Sequence, residues 1–153
     1  MPTLRDTPYS SFNFLVELGD GPSGNDFQAG FSEVSGLNTE VTVAEYRNGN
    51  DNVNHVRKIP GVFKTGDVTL KRGVIGAQNL YEWIDTLRTG DLANAKRDVV
   101  IKLRNEKRDA TVVSWTLRRA MPIKWTGPTL TAKGGGDVAM EELVLSVEAV
   151  EQA

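Results

Sequence analysis

The chain contains no cysteine. That excludes a disulfide framework and any thiolate metal site, and it suits folding in a reducing cytoplasm. Histidine occurs once, as His55. A lone histidine in a polar segment reads as a surface residue, because a triad also needs a nucleophile and an orienting acid. Aromatic residues make up only 7% of the chain, few for lining a wide apolar ligand pocket. No apolar run approaches the ~20 residues that span a bilayer, and MPTLRDTPYSSF lacks the basic head and apolar core of a signal peptide. An excess of positive charge is also missing: 18 Lys and Arg stand against 20 Asp and Glu, a formal net charge of −2. Specific binding of free nucleic acid is therefore not favoured.

What is present is 153 residues, 39% hydrophobic and 25% charged. That fits one globular domain able to bury roughly two-thirds of its unfolded surface. Residues 1–10 carry two prolines and several small polar residues, and read as an N-terminal arm before a single domain over 11–153. SFNFLVELG places Phe12, Phe14, Val16 and Leu18 on one face, a period of two that marks a strand. GDGPSGND is a turn. FQAGFSEVSG predicts a second strand ending at Gly36. LNTEVTVAEYR predicts a third, with Val41, Val43 and Glu45 on one face and Glu40, Thr42 and Tyr46 on the other. RNGNDN is a loop whose residues tolerate positive φ, and VNHVRKIPG returns, so 37–60 forms an extended hairpin. Pro60 lacks an N–H, so its arm is expected to lie at an edge or to end there.

GDVTLKRGV alternates again, with Val68 and Leu70 opposed by Thr69, Lys71 and the neighbouring Arg72. Over 76–89 the period changes. Ala77, Leu80, Tyr81, Ile84 and Leu87 fall on one helical face, with Gly90 at the C-terminal cap. Further strands follow in DVVIKLRNE, ATVVSWTLRRA, IKWTGPTLTA and EELVLSVEAVE. EKRD is a charged turn, Gly127-Pro128 a bend, and AKGGGD a glycine-rich loop. The fold expected is mainly β: a small antiparallel barrel or sandwich of about eight or nine strands with one flanking helix.

A search for chemistry returns little. Glu141 and Glu142 are adjacent, so on a strand they point to opposite faces and cannot share an ion. Asp51 with its asparagines lacks the glycine and terminal glutamate of a calcium loop. The glycines at 134–136 have no following Lys-Ser or Lys-Thr and no helix pattern, so the phosphate-loop signature fails. Trp83, Trp115 and Trp125 read as core or interface anchors. Lys58, Lys64, Lys71 and Arg72 form a basic set suited either to a solvated face or to an acidic surface on another subunit. No catalytic constellation, metal site or cofactor is expected.

Six stretches, taken in order, carry a family likeness: FSEVSGL at 31–37, EYRNGN at 45–50, KIPG at 58–61, GDVTLKRGV at 66–74, YEWI at 81–84, and GGGDVAMEELVLSVE from 134. Together they resemble the tail tube proteins of contractile phage tails, and more closely the inner tube proteins of extracellular contractile injection systems. The likeness runs from about Phe12 to Glu148. It departs at Met121, where relatives often place an aromatic, and in the richness of the glycine run.

The resemblance implies a non-catalytic structural subunit with a type VI secretion tube-like fold. Six copies would form a ring, and stacked rings a hollow tube inside a contractile sheath. It implies baseplate and tube-initiator proteins, a spike, a tape measure and a terminator as partners, and a payload in the lumen. It further implies synthesis in a bacterial cytoplasm without a signal peptide and assembly into an injection particle or phage tail, without membrane insertion by the subunit. A phage tail tube carrying DNA is the alternative, and a small-molecule-binding β-barrel a more distant one. By the same likeness the 37–60 hairpin is an assembly arm. Glu40, Glu45, Tyr46, Arg47 and Asn50 on it, with Lys58, Lys64, Lys71 and Arg72, are the expected contacts between subunits or rings, acid meeting base across copies. Thr42, Thr69 and Ser146 are the expected lumen-facing residues.

Overall fold

The computed structural model describes residues 4–20, 26–74, 79–134 and 136–153. The elements run β1 (Phe14–Asp20), β2 (Asp26–Ala29), β3 (Glu33–Ser35), β4 (Glu40–Tyr46), β5 (Arg57–Lys64), β6 (Val68–Gly73), α1 (Asn79–Arg88), α2 (Leu92–Ala95), β7 (Arg97–Arg104), β8 (Thr111–Thr126), β9 (Met140–Ser146) and β10 (Ala149–Gln152). All pairings are antiparallel. One hydrogen-bonded path follows the order β2-β1-β7-β8-β9-β6-β3, with β10 also on β8, while β4 and β5 form a separate two-stranded sheet.

The 16-residue β8 joins two halves of the long path. Its first half pairs with β7 and with β10, and its second half pairs with β9. Between them Arg119 takes a positive φ of 52°, and the register shifts between Pro122 and Lys124. A non-glycine residue at positive φ beside an irregular register is how a strand turns from one sheet to the next. The two halves close over one core. Val16, Leu18, Val99, Ile101 and Leu117 come from one half and Val68, Leu70, Leu143 and Leu145 from the other, all buried in a single cluster. The path does not close on itself, since β2 and β3 end it without pairing to each other. Of the two expected forms, the two-layered one is present.

The helix covers this core with Leu80 and Trp83. The Trp83 indole N–H donates to the Ala95 carbonyl at 2.7 Å, which ties α1 to α2. The expected helical face included Tyr81, but that ring is largely exposed and meets Trp125 edge-on at 5.5 Å. Leu80 and Trp83, at i and i+3, are the buried pair, so Trp83 takes the inward place that the expected face gave to Tyr81. Ala77 and the first turn of the expected 76–89 helix lie outside the described residues. Gly90, at φ +84°, occupies the cap position expected of it.

Three strand boundaries differ from expectation. FQAGFSEVSG divides into β2 and β3, which sit at opposite ends of the path. EELVLSVEAVE divides at Val147-Glu148 into β9 and β10, which pair with different halves of β8. ATVVSWTLRRA and IKWT, read as two strands, are the single β8. Pro122 did not stop it, because the proline lies where the register already slips.

Candidate assembly interface

The β4–β5 hairpin leaves the fold at a built hinge. Gly36 has φ +89°, and a Cβ there would meet the Asp67 carbonyl oxygen at 2.2 Å. Only glycine fits this crossing of the two chain segments. One step further, the Gly66 N–H donates to the Asn38 side-chain oxygen at 2.6 Å. A Cβ on Gly66 would press on that same side chain at 2.7 Å. The base of the hairpin is thus pinned twice before either strand begins.

Beyond the hinge, every residue of β4 and β5 is exposed. The register places Val41 opposite Phe63, Val43 opposite Pro60 and Glu45 opposite Lys58 on one face. Glu40 opposite Lys64, Ala44 opposite Ile59 and Tyr46 opposite Arg57 make the other. Both faces therefore carry apolar side chains; Val62 is 73% exposed and Phe63 71%. A two-stranded ribbon with neither face covered is marginally stable in water.

The tip is polar and internally organised. Asp51 accepts from the Asn48 backbone N–H at 3.0 Å and pairs with Arg57 at 3.5 Å. Arg47 donates to the Val53 and Asp51 carbonyls, and the Tyr46 hydroxyl bonds the Asn48 side chain. Asn50 and His55 are exposed there.

The expected contact residues separate into two groups. Glu40, Glu45, Tyr46, Arg47, Asn50, Lys58 and Lys64 all sit on the exposed hairpin. The acid–base matches Glu40–Lys64 and Glu45–Lys58 face each other across the same hairpin, in addition to any match across copies. Lys71 and Arg72 lie elsewhere, on β6. Lys71 stands between Glu33 and Glu142 in the register and pairs with Glu33 at 3.6 Å.

Arg72 corrects the expectation of a surface cation. Its side chain is 1% exposed and its guanidinium meets Glu141 at 2.5 Å. The Glu141 carboxylate also accepts from the Trp125 indole at 3.4 Å, and the guanidinium lies 5.9 Å from the Phe31 ring centroid. Burial inside its own chain keeps Arg72 from reaching another subunit. Among the expected lumen residues, Thr69 and Ser146 share the face of β6 and β9 turned from the core, beside Val144. Thr42 lies apart, on the hairpin.

At the far end of that same face is a cleft of about 770 Å³. Glu33, Lys71, Glu142, Asp137, Leu130, Val138 and Met140 are among its walls. Leu130 and Val138 are strongly exposed.

Two ionic clusters went unnoticed in the sequence. Arg5 on the N-terminal arm donates to both Glu106 oxygens, at 2.9 and 2.6 Å, and to the Thr7 and Pro8 carbonyls. It also stacks over the Tyr9 ring at 3.8 Å. This hydrogen bonding pulls the Glu106 carboxyl down to about 2. Arg118 on β8 joins Asp98 at 3.0 Å and Glu151 at 2.9 Å, stitching β7, β8 and β10 together. The Arg119 backbone N–H, then Arg118, lower the Asp98 carboxyl. Neither arrangement offers a nucleophile beside a base. Among the described residues, no three His, Asp or Glu come together as metal ligands.

Among the described residues the exposed β4–β5 hairpin is the candidate interaction surface, and comparison with known proteins gives the family. No curated sequence matches the chain. Among solved structures, the chain is similar to one from the PVC extracellular contractile injection system, in its sheath–tube complex in the extended state. The identity is 28%, the TM-score 0.81, and the match covers 95% of this chain and 91% of that one. It is similar to a chain of the anti-feeding prophage tube-terminating cap at 29% identity and TM-score 0.82, over 100% and 95%. Hcp1 of Flavobacterium johnsoniae shares the fold at 14% identity and TM-score 0.54, over 92% and 94%. The family model described as T4-like virus tail tube protein gp19 matches residues 10–151. The chain belongs to the T4-like virus tail tube protein family.

Proposed function

We propose that this chain is the repeating subunit of the rigid inner tube of a contractile injection particle. Six copies close into a ring, and rings stack into a hollow conduit. Sheath contraction drives that conduit through a target envelope to deliver a payload. The observation that carries this reading is the likeness, at 28–29% identity over 95–100% of the chain, to chains of injection-system assemblies. The hairpin supports it physically. Fifteen strand residues exposed on both faces are a liability in a free monomer and an asset in a subunit whose neighbours cover them.

Sheath, baseplate and tube-terminating proteins are the partners this reading brings, since the similar chains come from assemblies containing them. A spike, a tape measure and a payload complete it. The subunit itself needs no catalysis. A phage tail tube is the second reading, favoured by the description of the family itself.

Negative-stain electron microscopy of the purified protein over a concentration series, with size-exclusion chromatography alongside, tests the proposal. Rings with a central hole, or stacked tubes, are expected. A monomer that stays monomeric at high concentration, and that fails to join tubes when seeded with assembled particles, would sink it.

A further inference from the structure

The hairpin tip reads RNGNDNVNH from Arg47 to His55, and of the chain's ten asparagines Asn48 alone is followed by glycine. In a hairpin that pair ordinarily serves a positive φ. Here it does not. Gly49 does not take a positive φ, and an added Cβ would meet nothing within 4 Å. Neither the backbone nor the packing requires glycine at this position.

The surroundings suit a reaction instead. The Asn48 main chain is held from both sides: its N–H donates to the Asp51 carboxylate at 3.0 Å, and its carbonyl accepts from the Asp51 N–H at 3.1 Å. The Tyr46 hydroxyl donates to the Asn48 side-chain oxygen. That bond draws electron density from the carboxamide carbon and strengthens as negative charge grows on the oxygen. Gly49 is exposed, and its N–H has no hydrogen-bond partner among the described residues. A polarised carboxamide thus adjoins an unshielded backbone nitrogen. Asn48 also lines an open hollow of about 440 Å³ with Asp51, His55 and Arg57, so water reaches it.

We propose that Asn48–Gly49 is a self-modification site whose reactants are its own carboxamide and water. The Gly49 nitrogen attacks the Asn48 side-chain carbon. The new C–N bond closes a succinimide ring, the bond to Nδ2 breaks, and ammonia leaves with the Gly49 proton. Water then opens the ring at either carbonyl and gives an aspartyl or an isoaspartyl product. A carboxylate thereby replaces a neutral amide beside Asp51, which already holds Arg57 at 3.5 Å. The isoaspartyl product also routes the main chain through the side-chain carbon, so the two turn bonds to Asp51 cannot both persist. Asn50, Asn52 and Asn54 stand in the same loop but precede Asp51, Val53 and His55, whose side chains crowd the attacking nitrogen where glycine leaves it open. The tip therefore records the age of the chain. The inference stands apart from the tube reading, since a free chain is enough for it.

The test follows the dilute, folded chain at neutral pH over time, beside the same chain unfolded in urea. Trypsin releases residues 48–57 as one peptide, and mass spectrometry reads the gain of an amide-to-acid exchange. Electron-transfer fragmentation places it and separates the two products. The gain is expected at Asn48, with Asn50, Asn52 and Asn54 in the same peptide intact, and at least as fast in the folded chain as in urea. Gly49→Ala is expected to abolish it on that timescale without moving the melting temperature, because the added Cβ meets nothing. Tyr46→Phe is expected to slow it roughly two- to tenfold, the range that one net hydrogen bond supplies. A folded chain that reacts more slowly than the unfolded one would overturn the proposal, as would a gain spread evenly over the loop asparagines. A Tyr46→Phe chain that reacts as fast as the wild type would overturn the part given to the hydroxyl.

Discussion

Arg72 and Glu141 show how a polar pair is decided by strand periodicity. Val68, Leu70 and Arg72 share one face of β6, and Glu141, Leu143 and Leu145 share the facing positions of β9. The signal was in the sequence: continuing each period-two pattern by one step places an arginine and a glutamate on the inward face. It was obscured because Lys71 and Arg72 are adjacent, and two neighbouring cations look like one charged patch. A buried charge is tolerable only when paired. Arg72→Ala strands the Glu141 carboxylate beside Trp125, and is expected to cost roughly 3–5 kcal/mol of stability. Replacing both partners by apolar residues of similar size, as in Arg72→Met with Glu141→Leu, is expected to cost far less. Urea unfolding of the single and double variants measures both. A single variant within about 0.5 kcal/mol of wild type, the range usual for surface sites, would show that the pair is not buried as described.

At the scale of elements, alternation and the change to helical period were enough to find most of the strands and the helix. What they left out was where a strand changes partner. β8 crosses from one half of the fold to the other at Arg119, and β9 and β10 divide the same edge of β8 between them. Those breaks come from sheet bending, which leaves no mark on hydrophobic periodicity. The docking of residue Arg5 on Glu106 escaped for another reason: the two are 101 residues apart, and nothing local couples them. Their geometry makes a pH prediction. With Arg5 docked on the β7–β8 turn, the Glu106 carboxyl there is held down to about 2 from a reference of 4.5, chiefly by the Arg5 side chain. A depressed carboxyl contributes fully above its unfolded value and loses that contribution as pH falls through the folded one. The arm is therefore expected to remain docked on the β7–β8 turn at pH 5 and to release between about pH 4.5 and 2. A carbon-detected NMR titration of the Glu106 carboxyl checks this. Its midpoint is expected near 2 in the wild type and to rise towards the reference in Arg5→Ala, where the backbone hydrogen bonds alone still lower it; a wild-type midpoint already near 4.5 would rule the clamp out.

At the scale of the whole molecule, the chain has an economical core and an extravagant surface. Two β-layers and a helix bury one cluster of apolar residues, while the hairpin holds Val41, Val43, Ile59, Val62 and Phe63 in water. The sequence made the hairpin legible as an element. It could not say that both faces lacked cover, because exposure depends on where the rest of the chain goes. Among the described residues, its own strand pairing and the Gly66–Asn38 hydrogen bond at its base hold the ribbon. Such an element opens at a free energy near the bottom of the local-unfolding range. Amide hydrogen exchange should therefore separate two states of one protein. In the free chain, peptides covering 40–64 are expected to exchange far faster than those of β7 and the first half of β8, whose Val99, Ile101 and Leu117 lie in the core. In assembled tubes the same hairpin peptides are expected to slow towards the core rate, because neighbouring copies close both faces. The core peptides should change little, since assembly adds nothing to strands already buried. Exchange–mass spectrometry on monomer and tube fractions reads both at once. Hairpin exchange that stays equally fast in tubes would mean that assembly leaves the ribbon bare, and that its exposed apolar faces serve some contact other than the one that builds the tube.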